Sequence, residues 1–177
     1  MSPAPRRAPL ERSDARRARG LKLRIRDRVG DVRRHLLALR TAMSEFGADF
    51  DLDAFRVAFD SEDPVVLNRV KAVERGVEQL SGFIAELAAL GLELAGVRGR
   101  HEEADARADL DALARAEVLP KELTQRLQRL RELRRMLLRD ATAERVHEAA
   151  LLVTGNLPAF HDRYRDWIQR GFNTNPE

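Results

Sequence analysis

The stretch LRELRRMLLRDATAERVHEAA, residues 130–150, contains an arginine in an unusual place. Wound at the pitch of an α-helix, Leu123, Leu127, Leu130, Leu133, Leu137 and Leu138 fall on one side, within an arc of roughly 140°. Arg134 lands inside that arc, between Leu123 and Leu127. A guanidinium is a permanent cation that cannot pass a proton near neutral pH, so within an apolar stripe it must find a partner or line a cleft. It is also not alone. From Lys121 to Arg139 the chain adds Arg126, Arg129, Arg131, Arg134 and Arg135 against Glu122 and Glu132, a local balance of +5.

The element carrying these arginines is one of four apolar ladders. Leu21, Ile25, Val29, Val32, Leu36, Leu39, Met43 and Phe46 step by three or four and predict a first helix ending near Gly47. Leu52, Phe55 and Phe59 suggest one or two helical turns within the less regular segment 48–60. Asp63 before Pro64 reads as a cap followed by proline at the first helical position, opening a helix whose apolar face begins at Val66 and which runs to about Val97. The polar connection RGRHEEADAR precedes a shorter helix around Ala104–Ala116, and Pro120 opens the basic helix. Val146, Ala150, Val153, Leu157, Phe160, Tyr164 and Trp167 hold one phase through Gly155 and Pro158, which predicts a single long kinked helix. Strand alternation and hairpin signals are absent. The expected fold is all-α, an up-and-down helical bundle spanning 20–171, with a C-terminal tail at 172–177.

The net charge of +3 hides an uneven distribution. Residues 1–19 hold six arginines against Glu11 and Asp14, a balance of +4 that leaves −1 for the rest. This Pro-, Ala- and Arg-rich tail has no hydrophobic pattern and reads as disordered, with solubility or phosphate contact as its uses. The chain has no cysteine, which removes disulfides and thiolate metal sites. It also lacks a membrane-length apolar run and a signal-peptide pattern, so the expectation is a cytoplasmic protein without membrane contact.

Three phrases taken in order resemble the HepT-like family of the HEPN superfamily: AVERGVEQLSGFIAEL (72–87), DLDALARAEVLPKELTQRLQRLRELRRMLL (109–138) and ERVHEAALLVTGNLPAFHDRYRDWI (144–168). The likeness covers roughly residues 20–170. It implies a dimeric HEPN-like bundle with the basic helix and the last helix near the interface. Family members act as ribonuclease toxins paired with a minimal nucleotidyltransferase antitoxin, which can adenylylate a tyrosine near the active site. Their motif is an arginine followed after a short spacer by histidine, often with tyrosine two positions later. Arg134 aligns with that arginine, and the resemblance implies that it binds an RNA phosphate and stabilises charge as the phosphodiester breaks.

The chain departs from the motif at the next step. Five residues after Arg134 stands Arg139 in place of histidine, Ala141 occupies the tyrosine position, and Tyr164 is the only tyrosine. Arginine cannot act as general acid or base, so the family's proton chemistry is not visible. His147 lies thirteen residues beyond Arg134, outside the family spacing, and with Glu148 reads more readily as surface than as catalytic. His101, Glu102 and Glu103 lack a second histidine at ligand spacing, so no metal is expected, and no cofactor either. His35 and His161 are single residues without a motif.

The leading expectation is a HepT-like toxin–antitoxin component that binds RNA through Arg131, Arg134, Arg135 and Arg139, with lost or reduced ribonuclease activity. Its expected partners are a second copy of itself, a minimal nucleotidyltransferase antitoxin, and RNA. One alternative is an active endoribonuclease using Arg134 with His147. The other is a non-enzymatic helical interaction protein.

Overall fold

A computed structural model of the chain describes residues 9–97 and 105–172, with side chains from Asp14 onward. Among the described residues it is a bundle of helices without strands: α1 Pro9–Ser44, α2 Leu52–Phe59, α3 Pro64–Leu94, α4 Ala106–Arg115, α5 Lys121–Leu137 and α6 Ala143–Gly171. Each ladder read from the sequence is a helix face, and the four faces meet in one continuous core.

The helix boundaries follow from local chemistry. Asp51, Asp63, Asp105 and Thr142 cap α2, α3, α4 and α6, each accepting a bond from a backbone N–H in the first turn. Gly47 at φ 98° and Gly96 at φ 70° allow the left-handed turns that stop α1 and α3. The Gly96 turn ends α3 at Leu94, short of Val97. Pro120 is the residue before α5 and supplies no side-chain cap.

One boundary differs from expectation. The segment read as a disordered tail, 1–19, is helical from Pro9 onward. Alanine, arginine and glutamate favour helix without any apolar stripe, so a missing ladder does not prevent one from forming. This extension is also tied down, because Arg17 reaches Glu93 at the far end of α3, 2.6 Å away.

Side-chain pairs fix the helix directions. Arg17–Glu93, Arg28–Glu86 and Arg69–Glu45 run α1 antiparallel to α3. Arg129–Glu148 and Arg126–Asn156 do the same for α5 and α6. Helices α3 and α6 pack directly on each other, α1 and α5 each touch both, and α1 and α5 do not touch. The bundle is therefore an α3–α6 pair with α1 on one face and α5 on the other. Each face has a densely packed seam, α1–α3 or α5–α6, and a looser one, α1–α6 or α3–α5.

α6 is a single helix through Gly155 and Pro158. Proline has no N–H, so it leaves the Thr154 carbonyl, four residues back, without its helical donor. Arg40 Nη2 of α1 donates to that carbonyl at 3.3 Å. Further along α6, Tyr164 is fully buried between Phe160 and Trp167, its hydroxyl against Gly91 of α3. A Cβ at Gly91 would lie 2.6 Å from the Trp167 ring and 2.8 Å from the Tyr164 hydroxyl, so only glycine lets α3 and α6 approach this closely.

Burial pushes the Tyr164 phenol far above its ordinary value of 10.0. Below that value both folded and unfolded chains keep the proton, and stability is unaffected. Above it the unfolded chain releases the proton while the folded chain holds it, so stability falls as pH rises. Tyr164 is the only tyrosine, which gives the effect its own signal. An alkaline titration followed by tyrosinate absorbance and far-ultraviolet circular dichroism should show ionisation appearing together with loss of helix. Ionisation at about pH 10 in a fully helical protein would show that the ring is not sealed in the core.

Candidate anion-binding cleft between α3 and α5

The leucine ladder of α5 is turned inward, with Leu123, Leu127, Leu130 and Leu133 buried. Arg134 goes in with it. It is half-buried and its Nε is shut off from solvent without a hydrogen-bond partner. Its side chain lines two hollows bordered by α3 and α5. The larger, about 360 Å³, has an aliphatic floor that includes Ile84, Leu110, Leu127 and Leu130, with Arg131, Arg134 and Arg135 around it. The smaller, about 110 Å³, places Arg134 among Glu74 and Glu78 of α3 and Leu137, Ala141 and Val146.

Two cations of α5 are matched by carboxylates of its neighbours, Arg129 by Glu148 at 2.9 Å and Arg131 by Asp105 at 3.2 Å, while Arg126 meets only the neutral Asn156 of α6. Backbone N–H bonds at the start of α4 and the charge of Arg131 hold the Asp105 carboxyl below its ordinary range. Arg134, Arg135 and Arg139 have no carboxylate within ion-pair distance among the described residues. Arg134 and Arg135 lie in the last turn of α5, where the helix dipole favours cations. The expected set of four is thus divided. Arg131, Arg134 and Arg135 share the larger hollow, with Arg131 already engaged, and Arg139 lies exposed beyond the helix end.

Glu74 was not among the residues expected at this site. At about 100° per residue it lies roughly 40° from Val70, beyond the edge of the apolar ladder of α3, so the sequence does not single it out as it does Arg134. Its Oε2 meets Lys71 at 2.6 Å, while Oε1 is buried without a partner. Arg134 and Glu74 therefore bring a buried donor and a buried acceptor to the same small hollow, with no salt bridge between them.

His147 belongs to other surroundings. Its Nε2 donates to the Phe50 carbonyl at 2.7 Å, and its ring stacks on Phe50 with centroids 4.7 Å apart and planes at 16°. Val146 lines the smaller hollow, but the next residue of a helix points about 100° away. His147 lines neither hollow. It has a conformational role, because Phe50 sits at φ 52°, a left-handed geometry that costs a non-glycine residue about 1–2 kcal/mol. The hydrogen bond and the stacked ring hold it there. His101, Glu102 and Glu103 lie outside the described residues. Among the described residues no group of three His, Asp or Glu is placed to hold a metal ion, and no helix is long and apolar enough to cross a membrane.

No family model, curated protein or solved structure matches this chain. The site is therefore interpreted from its own chemistry: a guanidinium cluster with unmatched charge, over an aliphatic floor, beside a carboxylate.

His147→Ala should remove one partly buried hydrogen bond and one ring stack, lowering stability by about 1–3 kcal/mol in a urea unfolding series. Affinity for a polyanion should stay unchanged, since the residue faces away from the arginines. Full stability in this variant would remove the clamp on Phe50.

Proposed function

We propose that this chain is a HepT-like bundle that binds RNA through the α3–α5 cleft and has lost or strongly reduced ribonuclease activity. The observation that carries the reading is Arg134, half-buried in a cleft and without a carboxylate partner, beside the equally unmatched Arg135. Unmatched guanidiniums at a partly dry surface favour phosphate oxygens, which accept two parallel N–H bonds from each. Proton transfer is what the cleft lacks. Arg139 stands in the histidine position of the family motif, and His147 is engaged with Phe50. A minimal nucleotidyltransferase as protein partner belongs to the same proposal.

Single-stranded RNA binding, followed by fluorescence anisotropy, should weaken steeply with added salt as phosphate contacts release counterions. Arg134→Glu, Arg135→Glu and Arg139→Glu together should abolish it at unchanged helical content. Neutralising Arg6, Arg7 and Arg12 in the same assay separates the N-terminal arginines from the cleft. Bound RNA should remain intact, since loss of an acid–base group typically costs about two to four orders of magnitude in rate. Binding that survives the triple change removes the cleft from the reading. Brisk cleavage that His147→Ala stops replaces it with an active nuclease.

A two-fold dimer with α5 and α6 near the interface is part of the proposal. Leu138, 68% exposed at the end of the leucine ladder, is the apolar surface that a second copy would cover. Sedimentation at micromolar concentration should show a dimer that Leu138→Lys weakens. A monomer throughout that range would count against the assembly.

A further inference from the structure

On the opposite face of the α3–α6 pair, the loose α1–α6 seam opens into a groove of about 230 Å³. Its floor is aliphatic, from Val32, Leu36, Leu157 and Pro158, and four charged or titratable residues besides Asp162 line it: Arg33, Arg40, His161 and Arg165. Arg33 has no partner among the described residues. Arg40 has no carboxylate partner, and its bond to the Thr154 carbonyl holds its guanidinium against α6. Arg165 has only long contacts, 3.9 Å to Asp162 and 3.7 Å to Asp166. Three guanidiniums against the single carboxylate of Asp162 leave the groove cationic.

His161 is the unusual member. It is 8% exposed, on the apolar face of α6 between Leu157 and Tyr164. Its Nδ1 lies 3.1 Å from Asp162 Oδ1. A carboxylate accepts, so Nδ1 carries the proton and Nε2 is the remaining hydrogen-bonding atom. Nε2 is buried without a partner. A buried polar atom in that condition is costly unless something else satisfies it. Neutral, it accepts from a P–OH group. Charged, it donates to a phosphate oxygen. Arg33 and Arg40 are two helical turns apart, about 10 Å along α1, so they can flank one tetrahedral anion from two sides while Arg165 approaches from α6.

We propose that the α1–α6 groove is a phosphate-binding site, separate from the α3–α5 cleft, in which Arg33, Arg40 and Arg165 neutralise a terminal phosphate and His161 hydrogen-bonds it. A terminal phosphate carries more charge and one more free oxygen than a phosphodiester, which suits three guanidiniums and an imidazole at a single point. The group could belong to a small phosphorylated molecule or to the 5′ end of an RNA.

The test follows the histidine ring signals of the full chain by NMR while inorganic phosphate replaces chloride at constant ionic strength. His161 signals, assigned with His161→Gln, should shift and saturate, and those of His35 and His147 should not. The double variant Arg33→Gln with Arg40→Gln should weaken this binding at least about tenfold, the loss expected when two charge-assisted contacts go. Arg33→Gln alone, at an exposed position, gives a smaller loss in the same direction and guards against unfolding of the double variant. A second arm compares 5′-phosphorylated with 5′-hydroxyl RNA in the Arg134→Glu, Arg135→Glu, Arg139→Glu background. Preference for the phosphorylated end names RNA as the source. Equal RNA binding with saturable inorganic phosphate names a small ligand. A shift that never saturates, or one unchanged by the arginine variants, overturns the site.

Discussion

The close approach of α3 and α6 is the constraint from which the other features follow. Gly91 presents no side chain, and Tyr164 and Trp167 fill the space where one would be. Two long helices packed side by side bury one stripe each and leave two flanks uncovered. Helices α1 and α5 cover those flanks, one per face, and neither touches the other. Both covering helices pack unequally on the pair. α1 favours α3 and α5 favours α6, so each face keeps one loose seam. The two clefts are therefore consequences of the packing order, and they lie on opposite faces of the molecule.

Charge is distributed along the same lines. At the tight seams, arginines cross to carboxylates on the neighbouring helix: Arg17 to Glu93, Arg28 to Glu86, Arg129 to Glu148. Most of these pairs are partly exposed, and each is worth little to stability, but together they set helix direction and register. At the loose seams the arginines lack such matches. Arg134 and Arg135 border one, Arg33 and Arg40 the other. A net charge of +3 would not reveal this, because a sum over the chain says nothing of which arginines are paired.

Much of the fold was legible because heptad-like ladders state which face of a helix is buried. Asp63–Pro64 placed the start of α3 to the residue. The N-terminal part of α1 was not legible, since arginine and alanine can form a helix with no apolar stripe and the contact holding it, Glu93, is 76 residues away. The site was partly legible. Arg134 stood out because it breaks an apolar arc, whereas Glu74 and His161 lie at the edges of theirs and did not. What the sequence could not supply was the company each one keeps: Arg33 and Arg40 are more than a hundred residues from His161. His147 was misleading for the opposite reason. Its closeness in sequence to the arginine helix suggested a shared site, whereas the turn at 138–142 and one step of helical rotation direct it toward Phe50.

The three intruding residues share one physical logic. In a tight seam a polar side chain needs hydrogen-bond partners, as Asn156 has in Arg126 and the Leu152 carbonyl, whereas a loose seam tolerates one with an atom left unmatched. Arg134, Glu74 and His161 each occur at a loose seam, and each keeps one atom without a hydrogen bond. An interior that is close-packed between the clefts has little room to deform gradually. Both α3 and α6 touch both covering helices, so any influence of one face on the other passes through the central pair, which at Gly91 is packed so closely that Tyr164 and Trp167 leave no space for even a methyl group.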